Sequence, residues 1–364
     1  IEVYGIDNIL QLKDYLNHIL EPAPAKPNTH SPTEERDYIP DFSQEVLFGF
    51  KVKYGTALCT GFCTFICVVG KFSDTADHIN AVPSILPDMS FDEMIETTKI
   101  HSIAGTLKHD GLITTRPFRS PHHTVTPVGL GGGGTGTIRP GEVSLANNGV
   151  LFLDELPEFS RTALEVLRQP IEDGSITISR AGQKCTYPCS IMVVAAMNPC
   201  PCGYYGDPTR KCTCSEQKIK RYLNRISGPL LDRMDLCCQI KQTPIRKLWE
   251  KREASYIDSD KNGSKWMREQ VLEARKRQQM RCRGAAMREN GRLSPGEILK
   301  YCPLGLEEQE FLEQASEQAG LSMRGCHRVI RVARTIADLE GKDRIGVEHL
   351  GQALFFRNQN VLRE

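Results

Sequence analysis

Two apolar runs that each end in polar residues constrain the fold of this chain most strongly. GVLFLDE ends in Asp154 and Glu155, and SIMVVAAMNP carries Asn198 at its end. Runs that are apolar throughout are typical of strands buried on both faces, as in a parallel sheet covered by helices. Helical patterns alternate with these runs over residues 82–242. We therefore predict an α/β fold.

The composition is that of a globular protein without a strong overall charge. Its 364 residues allow two or three domains, 40% are hydrophobic, and the formal net charge is +1. Contacts with nucleic acid must therefore come from local patches. No signal-like pattern opens the chain, residues 58–70 are too short and interrupted to span a bilayer, and Ile1 in place of Met is expected of a fragment. We expect a cytoplasmic protein without membrane contact, whose fourteen cysteines are reduced, buried or metal-bound.

Local patterns predict the elements around these two strands. Residues 160–174 carry a Ser N-cap and a closing Gly and predict one helix. Residues 175–189 alternate around Ala-Gly and predict a β-hairpin. From about residue 265 the pattern is helical, with apolar faces that include Phe311, Leu312, Ala315 and Ala319, and then Val329, Ile330, Ala333, Ile336 and Ala337.

The acids at the end of VLFLDE are the first candidate site. Carboxyl ends of parallel strands are where α/β proteins bind ligands. In a nucleotide hydrolase, Asp154 would help to hold Mg²⁺ and Glu155 would activate water, whereas a structural role would leave them in a solvated turn. Asn198 could touch the γ-phosphate or simply form a turn. Arg233, in GPLLDRMD, could be an arginine finger for a neighbouring subunit or a surface ion pair.

A second candidate site is CPCGYYGDPTRKCTC, with two Cys-x-Cys pairs. Four thiolates on a short loop can form a tetrahedral Zn²⁺ site, although the spacing differs from the common Cys-x₂-Cys, and free thiols are the alternative. The cysteines are Cys200, Cys202, Cys212 and Cys214. Basic residues lie in or after the loop, as expected near nucleic acid, namely Arg210, Lys211, Lys218, Lys220, Arg221 and Arg225.

Several long motifs, in order, resemble the ComM/YifB family of AAA+ ATPases, which are related to the magnesium chelatase ATPase subunit. They are RPFRSPHHT, RPGEVSLANNGVLFLDELPEF, LRQPIEDGSITISRA, VAAMNPCPCGYYGD, SGPLLDRMDL and HRVIRVARTIADLEG. The resemblance implies an AAA+ P-loop-type parallel sheet between helices, followed by a helical lid. It further implies residues 1–20 as the end of an N-terminal Lon/S5-like domain, 21–44 as a linker, 45–260 as the AAA+ core and 265–364 as the lid.

The family also implies roles for individual residues. Asp154 and Glu155 match Walker B, Asn198 matches sensor 1, Arg233 the arginine finger and Arg324 the sensor 2 arginine of the lid. ATP and Mg²⁺ are the implied cofactors, with Zn²⁺ as a further one at the cysteines. A ring of subunits, expected to be a hexamer, and DNA are the implied partners.

The hairpin at residues 175–188 matches the family's pre-sensor 1 hairpin, which faces the central pore in related helicases. Arg180 and Lys184 near its tip would then contact DNA phosphates. The alternative is that both are solvated turn charges.

The phosphate-binding loop that such an ATPase needs is missing. CTFICVVGKFSDTADHIN has Gly70 and Lys71 after an apolar run, but Gly-x-x-x-x-Gly-Lys-Ser/Thr would require Gly at Phe65 and a hydroxyl at Phe72. Across residues 45–81 the resemblance stops although the length is preserved. Two compensating frameshifts or real divergence into a pseudoenzyme would explain this. We expect negligible ATP hydrolysis from the chain as written, and a poorly formed strand and first helix there.

Three functions follow as alternatives. The first is a ComM/YifB-type ring motor on DNA, for branch migration or unwinding in DNA uptake and recombination. The second is a magnesium chelatase motor subunit of tetrapyrrole synthesis, and the third a non-catalytic protein that binds zinc and DNA. DNA-stimulated ATP hydrolysis separates the first from the second.

Three other patterns carry structural interpretations. GLGGGGTGT, at residues 129–137, predicts a flexible loop. His122 and His123 could be ligands but have no evident partners in the sequence. Nine basic and three acidic residues between Lys265 and Arg292 predict a solvated helix face that could meet DNA.

Overall fold

A computed structural model describes residues 65–69, 79–107, 111–134, 137–180, 183–207, 210–240, 263–282 and 289–357, with only the backbone of 65–69 and 239–240. All of these residues belong to one compact unit, residues 39–364. The end-piece at 1–20, the linker at 21–44 and the first helix expected after Gly70-Lys71 lie outside the described residues. The domain boundaries therefore stay predictions.

The centre of the fold is a five-stranded parallel sheet in the order β2-β5-β8-β1-β9. Its strands are β1 Phe65–Val69, β2 Phe118–Arg119, β5 Val150–Leu153, β8 Met192–Met197 and β9 Leu236–Ile240. Two antiparallel pairs accompany the sheet, β3 Gly132–Gly133 with β4 Arg139–Pro140, and β6 Ser175–Arg180 with β7 Gln183–Pro188.

Helices cover both faces of this sheet. In chain order the described α-helices are α1 Phe91–Ala104, α2 Pro127–Gly131, α3 Glu142–Leu145, α4 Arg161–Val166, α5 Arg168–Asp173, α6 Glu216–Leu223, α7 Gly228–Leu231, α8 Ser264–Arg281, α9 Pro295–Tyr301, α10 Leu306–Ala319, α11 Met323–Leu339 and α12 Val347–Arg357. Short 3₁₀ helices span Val82–Ile85, Leu156–Glu158 and Asn290–Arg292. No described helix is long and apolar enough to cross a membrane.

Alternate residues of each central strand enter two different cores. Val150 and Phe152 of β5 pack with the C-terminal helices, whereas Leu151 and Leu153 pack with the layer that contains α4, α6 and the β6–β7 hairpin. A strand that is covered on both faces must be apolar at every position. The α/β prediction is therefore confirmed, with its parallel sheet between helices.

Local sequence explains where the predicted helix at residues 160–174 begins and ends, but not its interruption. The Ser160 hydroxyl accepts a hydrogen bond from the Ala163 N–H at 3.2 Å, and Gly174 ends the segment at φ +62°. Between them the helix divides into α4 and α5 at Leu167. Pro170 accounts for the break, because it has no N–H to donate and its ring crowds the carbonyl four residues earlier.

The glycine run at 129–137 differs from the predicted flexible loop. Its first residues belong to α2, and Gly132 and Gly133 pair with β4. A Cβ on Gly132 would lie 2.7 Å from the Arg139 carbonyl oxygen, and φ is +103° there. The glycines permit this close backbone approach, so the expectation of a flexible loop was wrong for residues 129–133.

Candidate nucleotide and metal sites

The two Walker B candidates lie at the carboxyl end of β5. Asp154 Oδ1 accepts a hydrogen bond from the Glu155 N–H at 2.8 Å, and both residues are exposed. Glu155 has φ +53°, which is uncommon for a residue with a side chain. The chain turns sharply here, so both carboxylates stand at the edge of the sheet.

Asn198 lies at the same edge, on the neighbouring strand. Leu153 of β5 is level with Ala195 of β8, so Asp154 and Asn198 both follow their strands in the same direction. The hydroxyl of buried Tyr222 on α6 hydrogen-bonds to the Asn198 backbone. Burial raises the pKa of Tyr222, and the carboxylates of Glu158 and Glu155 raise it further.

A histidine that the sequence left without a partner belongs to this edge. His123 Nδ1 lies 3.0 Å from Glu155 Oε2, and its ring stacks on His122 with centroids 4.0 Å apart. The expectation that these histidines lack partners was wrong for His123. It follows β2, which pairs with β5, so the topology places it beside Glu155. The sequence signal was the strand order, which a single chain of residues does not reveal.

Strand β1 occupies the position from which a phosphate-binding loop would emerge. It pairs with β8 on one side and β9 on the other, so the expectation that this strand would be poorly formed was wrong. The strand extends to Val69, and Gly70-Lys71 follow at once. The positions that the Gly-x-x-x-x-Gly pattern would give to a loop are thus strand positions.

Arg233 lies at the opposite edge of the sheet, shortly before β9. Leu236, at the start of β9, is level with Val194 through β1, whereas Asn198 lies four residues, about 13 Å, further along β8. Arg233 Nη2 is 2.7 Å from Glu172 Oε2, and its Nη1 donates to the Pro229 carbonyl at 2.6 Å. Within one chain, Arg233 therefore stays away from Asp154, Glu155 and Asn198.

The lid arginine Arg324 joins Arg233 at this edge. Its Nη1 donates to Glu172 Oε1 at 3.1 Å, although 74% of the side chain is exposed. Burial opposes ionisation of Glu172, but the hydrogen bond from Arg233 and the nearby charges of Arg324 and Arg328 outweigh it, and the pKa of Glu172 is lowered. Both arginines border a cleft of about 290 Å³ lined by Arg168, Glu172, Pro229, Asp232, Arg233, Ser322, Arg324 and Arg328. The sequence missed Glu172, which links the two arginines.

The C-terminal helices hold the segment that carries Arg233. Arg328 of α11 donates to the Arg233 carbonyl and to Asp235 Oδ1, the latter at 2.6 Å. Arg357 of α12 donates to the carbonyls of Met234 and Asp232. The arginine cluster and the lid helices are thus one connected piece.

Arg180 and Lys184 lie on the predicted hairpin. Arg180 pairs with Gln183 and Ser179 with Lys184, and both basic side chains are exposed near the tip. The hairpin prediction is confirmed, and the partner of its charges stays a prediction. The basic helix predicted at 265–292 is α8 over Ser264–Arg281, with Met267 and Val271 buried.

The four cysteines of the second candidate site converge. Cys200 Sγ lies 3.3 Å from Cys202 Sγ and 3.7 Å from Cys212 Sγ, and Cys202 and Cys212 are 3.5 Å apart. With Cys214, all four sulfur atoms lie within 4.8 Å of one another. The loop begins two residues after Asn198, so this cluster adjoins the carboxyl edge of the sheet.

The fold and site define a class. A parallel sheet in this order, with acidic residues after β5, a polar residue after β8 and a helical lid, is an AAA+ type of architecture. The model of the family described as magnesium chelatase, subunit ChlI, matches residues 75–248, and that of its C-terminal region matches 261–357. The first match begins after the stretch that lacks the phosphate-binding loop.

Curated relatives agree with this assignment. Competence protein ComM of Haemophilus influenzae is 44% identical over 273 residues, which is 75% of this chain and 51% of ComM. YifB of Salmonella typhimurium is 43% identical over the same length, and YifB of Escherichia coli is 42% identical over 282 residues, 78% of this chain and 53% of that protein. The chain belongs to the magnesium chelatase-like family that includes ComM and YifB. It spans about half the length of these relatives.

Proposed function

We propose that this chain is the AAA+ module of a ComM/YifB-type motor that hydrolyses ATP and acts on DNA as a ring. The observation that carries the proposal is the placement of candidate groups at opposite edges of one sheet. Asp154, Glu155 and Asn198 stand at the carboxyl edge, and Arg233 at the amino edge.

This division favours catalysis between subunits. Arginine fingers stabilise the charge that develops on the transferred phosphoryl group, and they must reach it directly. Arg233 cannot reach the Mg²⁺ and water-activating groups of its own chain, but it could complete those of a neighbour. Repeating one such contact around an axis generates a closed ring.

The chain as written is impaired in this activity according to the proposal. Glu155 could act as general base, with His123 holding its carboxylate, and Asp154 could hold Mg²⁺. The amides, the lysine and the hydroxyl that neutralise the β- and γ-phosphates are missing between Cys63 and Phe72. ATP-dependent steps should therefore fail at nucleotide binding, while other properties of the module persist.

The test is a chimera in which residues 45–81 are replaced by the corresponding segment of Escherichia coli YifB. We expect the chimera to bind and hydrolyse ATP, with stimulation by DNA, and to lose hydrolysis on Glu155→Gln or Arg233→Ala. Mixing the two variants should restore part of the activity, because each supplies the group that the other lacks.

Other outcomes separate the alternatives. Hydrolysis without any effect of DNA would contradict a DNA motor and favour a chelatase-type role. No hydrolysis in a folded chimera that still binds DNA would contradict the ATPase and favour the non-catalytic alternative. Restored activity in neither mixture would contradict catalysis between subunits.

A further inference from the structure

We infer that Cys200, Cys202, Cys212 and Cys214 bind one Zn²⁺ in a closed tetrahedral site that fixes the loop between Asn198 and α6. Two Cys-x-Cys pairs from opposite ends of the loop supply the ligands. This site is independent of nucleotide chemistry, since none of its ligands belongs to the candidate nucleotide-binding groups.

The sulfur separations fit this ion. A tetrahedral site with Zn–S bonds of about 2.3 Å has sulfur atoms about 3.8 Å apart. The separations among Cys200, Cys202 and Cys212 are 3.3, 3.7 and 3.5 Å. Disulfide bonding requires about 2.05 Å and would join the cysteines in pairs. Three sulfur atoms in mutual contact, with a fourth close by, match a shared ligand better.

Backbone donors surround the sulfur atoms. The Cys214 N–H donates to Cys212 Sγ at 3.4 Å, and the N–H groups of Tyr204 and Thr213 donate to Cys202 Sγ. Such donors stabilise negative charge on sulfur and orient metal-bound thiolates. A cluster of neutral thiols that only filled space would not need them.

Nearby cations offset the charge that four thiolates leave on the site. The Arg210 guanidinium lies 4.2 Å from the centre of the Tyr204 ring, and its Nη1 donates to the Tyr204 hydroxyl at 2.7 Å. Lys211, directly before Cys212, is exposed. Zn²⁺ with four thiolates carries a net charge of −2, so these cations are favourably placed.

The loop has little else to hold it together. Its described residues between β8 and α6 form turns, with Gly203 and Gly206 at φ +82° and +78°. Among the described residues of this loop only Cys200, Gly203 and Tyr204 are buried. A long connection without regular structure and with so few buried residues needs another source of order. A closed metal site supplies it and leaves no open position for a substrate.

The experiment measures metal in the full chain, purified under reducing conditions without added metal. We expect about one zinc per chain by plasma mass spectrometry, and loss of it in Cys200→Ser and in Cys212→Ser. Cys326→Ser is the control, since Cys326 is a half-buried cysteine on α11, outside the cluster. It should retain the metal.

Cobalt gives a second readout that does not depend on the variants' stability. Replacing the metal with Co²⁺ in the unsubstituted chain should give thiolate-to-cobalt charge-transfer absorption and the strong visible bands of a tetrahedral site, saturating at one equivalent and reversed by Zn²⁺. Iron in place of zinc, no metal in the folded chain, an octahedral cobalt spectrum, or zinc retained in Cys212→Ser would each overturn the assignment.

Discussion

Arg233 Nη2 lies 2.7 Å from Glu172 Oε2, and this pair joins the segment before β9 to helix α5. Only 11% of the Arg233 side chain and 32% of Glu172 are exposed. Arg324 of the lid binds the other oxygen of the same carboxylate. Glu172 thus holds two arginines together at the edge that would face a neighbouring subunit.

The first prediction concerns the stability of this arrangement. Glu172→Ala should lower the free energy of unfolding by about 2 kcal/mol, because a partly buried Arg233 loses its charged partner. Urea denaturation measures the change. Glu317→Ala is the matched control, since Glu317 is an exposed residue of α10. An equal loss in both variants would contradict the role of the pair.

The second prediction is the pH dependence of the same pair. The pKa of Glu172 is lowered in the folded chain, below its ordinary value of 4.5. Its ionised form therefore stabilises the fold fully above pH 4.5, and this contribution disappears as the pH falls through the lowered pKa. The difference in unfolding free energy between the unsubstituted chain and Glu172→Gln should shrink over that acidic range. A difference that stays constant there would exclude ionisation of Glu172 as its cause.

A third prediction follows from the position of β1. Phe65→Gly with Phe72→Thr would complete the pattern Gly-x-x-x-x-Gly-Lys-Thr in the sequence. We expect this double variant to bind no ATP, because residues 65–69 form the central strand and do not form a loop. Titration with a fluorescent ATP analogue checks this, with the chimera described above as the positive control. Saturable binding by the double variant would show that these residues can form the loop.

The sequence predicted the elements whose evidence is local. Strands β5 and β8 and the β6–β7 hairpin follow from apolar runs and turn residues a few positions apart. His123 was missed because its partner Glu155 is 32 residues away and becomes a neighbour only through the pairing of β2 with β5. Glu172 resembled an ordinary acid near a helix end, and its arginine partners come from distant elements.

Other differences have local causes that outweighed the general pattern. A helix from Ser160 to Gly174 was expected as one element, but Pro170 interrupts it near Leu167. The glycine run at residue 129 was expected to be flexible, yet glycine also permits close contact between backbones, as at Gly132. Composition alone does not distinguish these two uses of glycine.

The fourth prediction tests the charges of the hairpin. Arg180→Ala with Lys184→Ala should weaken binding to single-stranded DNA and reduce the slope of log K against log salt by about 1.4, since two phosphate contacts contribute about 0.7 each. Fluorescence anisotropy over a range of salt concentrations measures this slope. Lys342→Ala, an exposed change on the C-terminal helical part, is the control. An unchanged slope would mean that the two charges are solvated turn residues.

The last prediction concerns the buried network that holds the lid helices together. Asp338 is 2% exposed and accepts hydrogen bonds from Arg334 Nε at 3.1 Å, from Asn290 Nδ2 at 2.8 Å and from Arg281. Asp338→Ala should lower the free energy of unfolding by about 3–5 kcal/mol, because it leaves the buried Arg334 without its carboxylate. Asp343→Ala changes an exposed aspartate nearby and should cost far less. Urea denaturation separates the two, and a similar small loss in both variants would mean that the buried arginine finds another partner when Asp338 is removed.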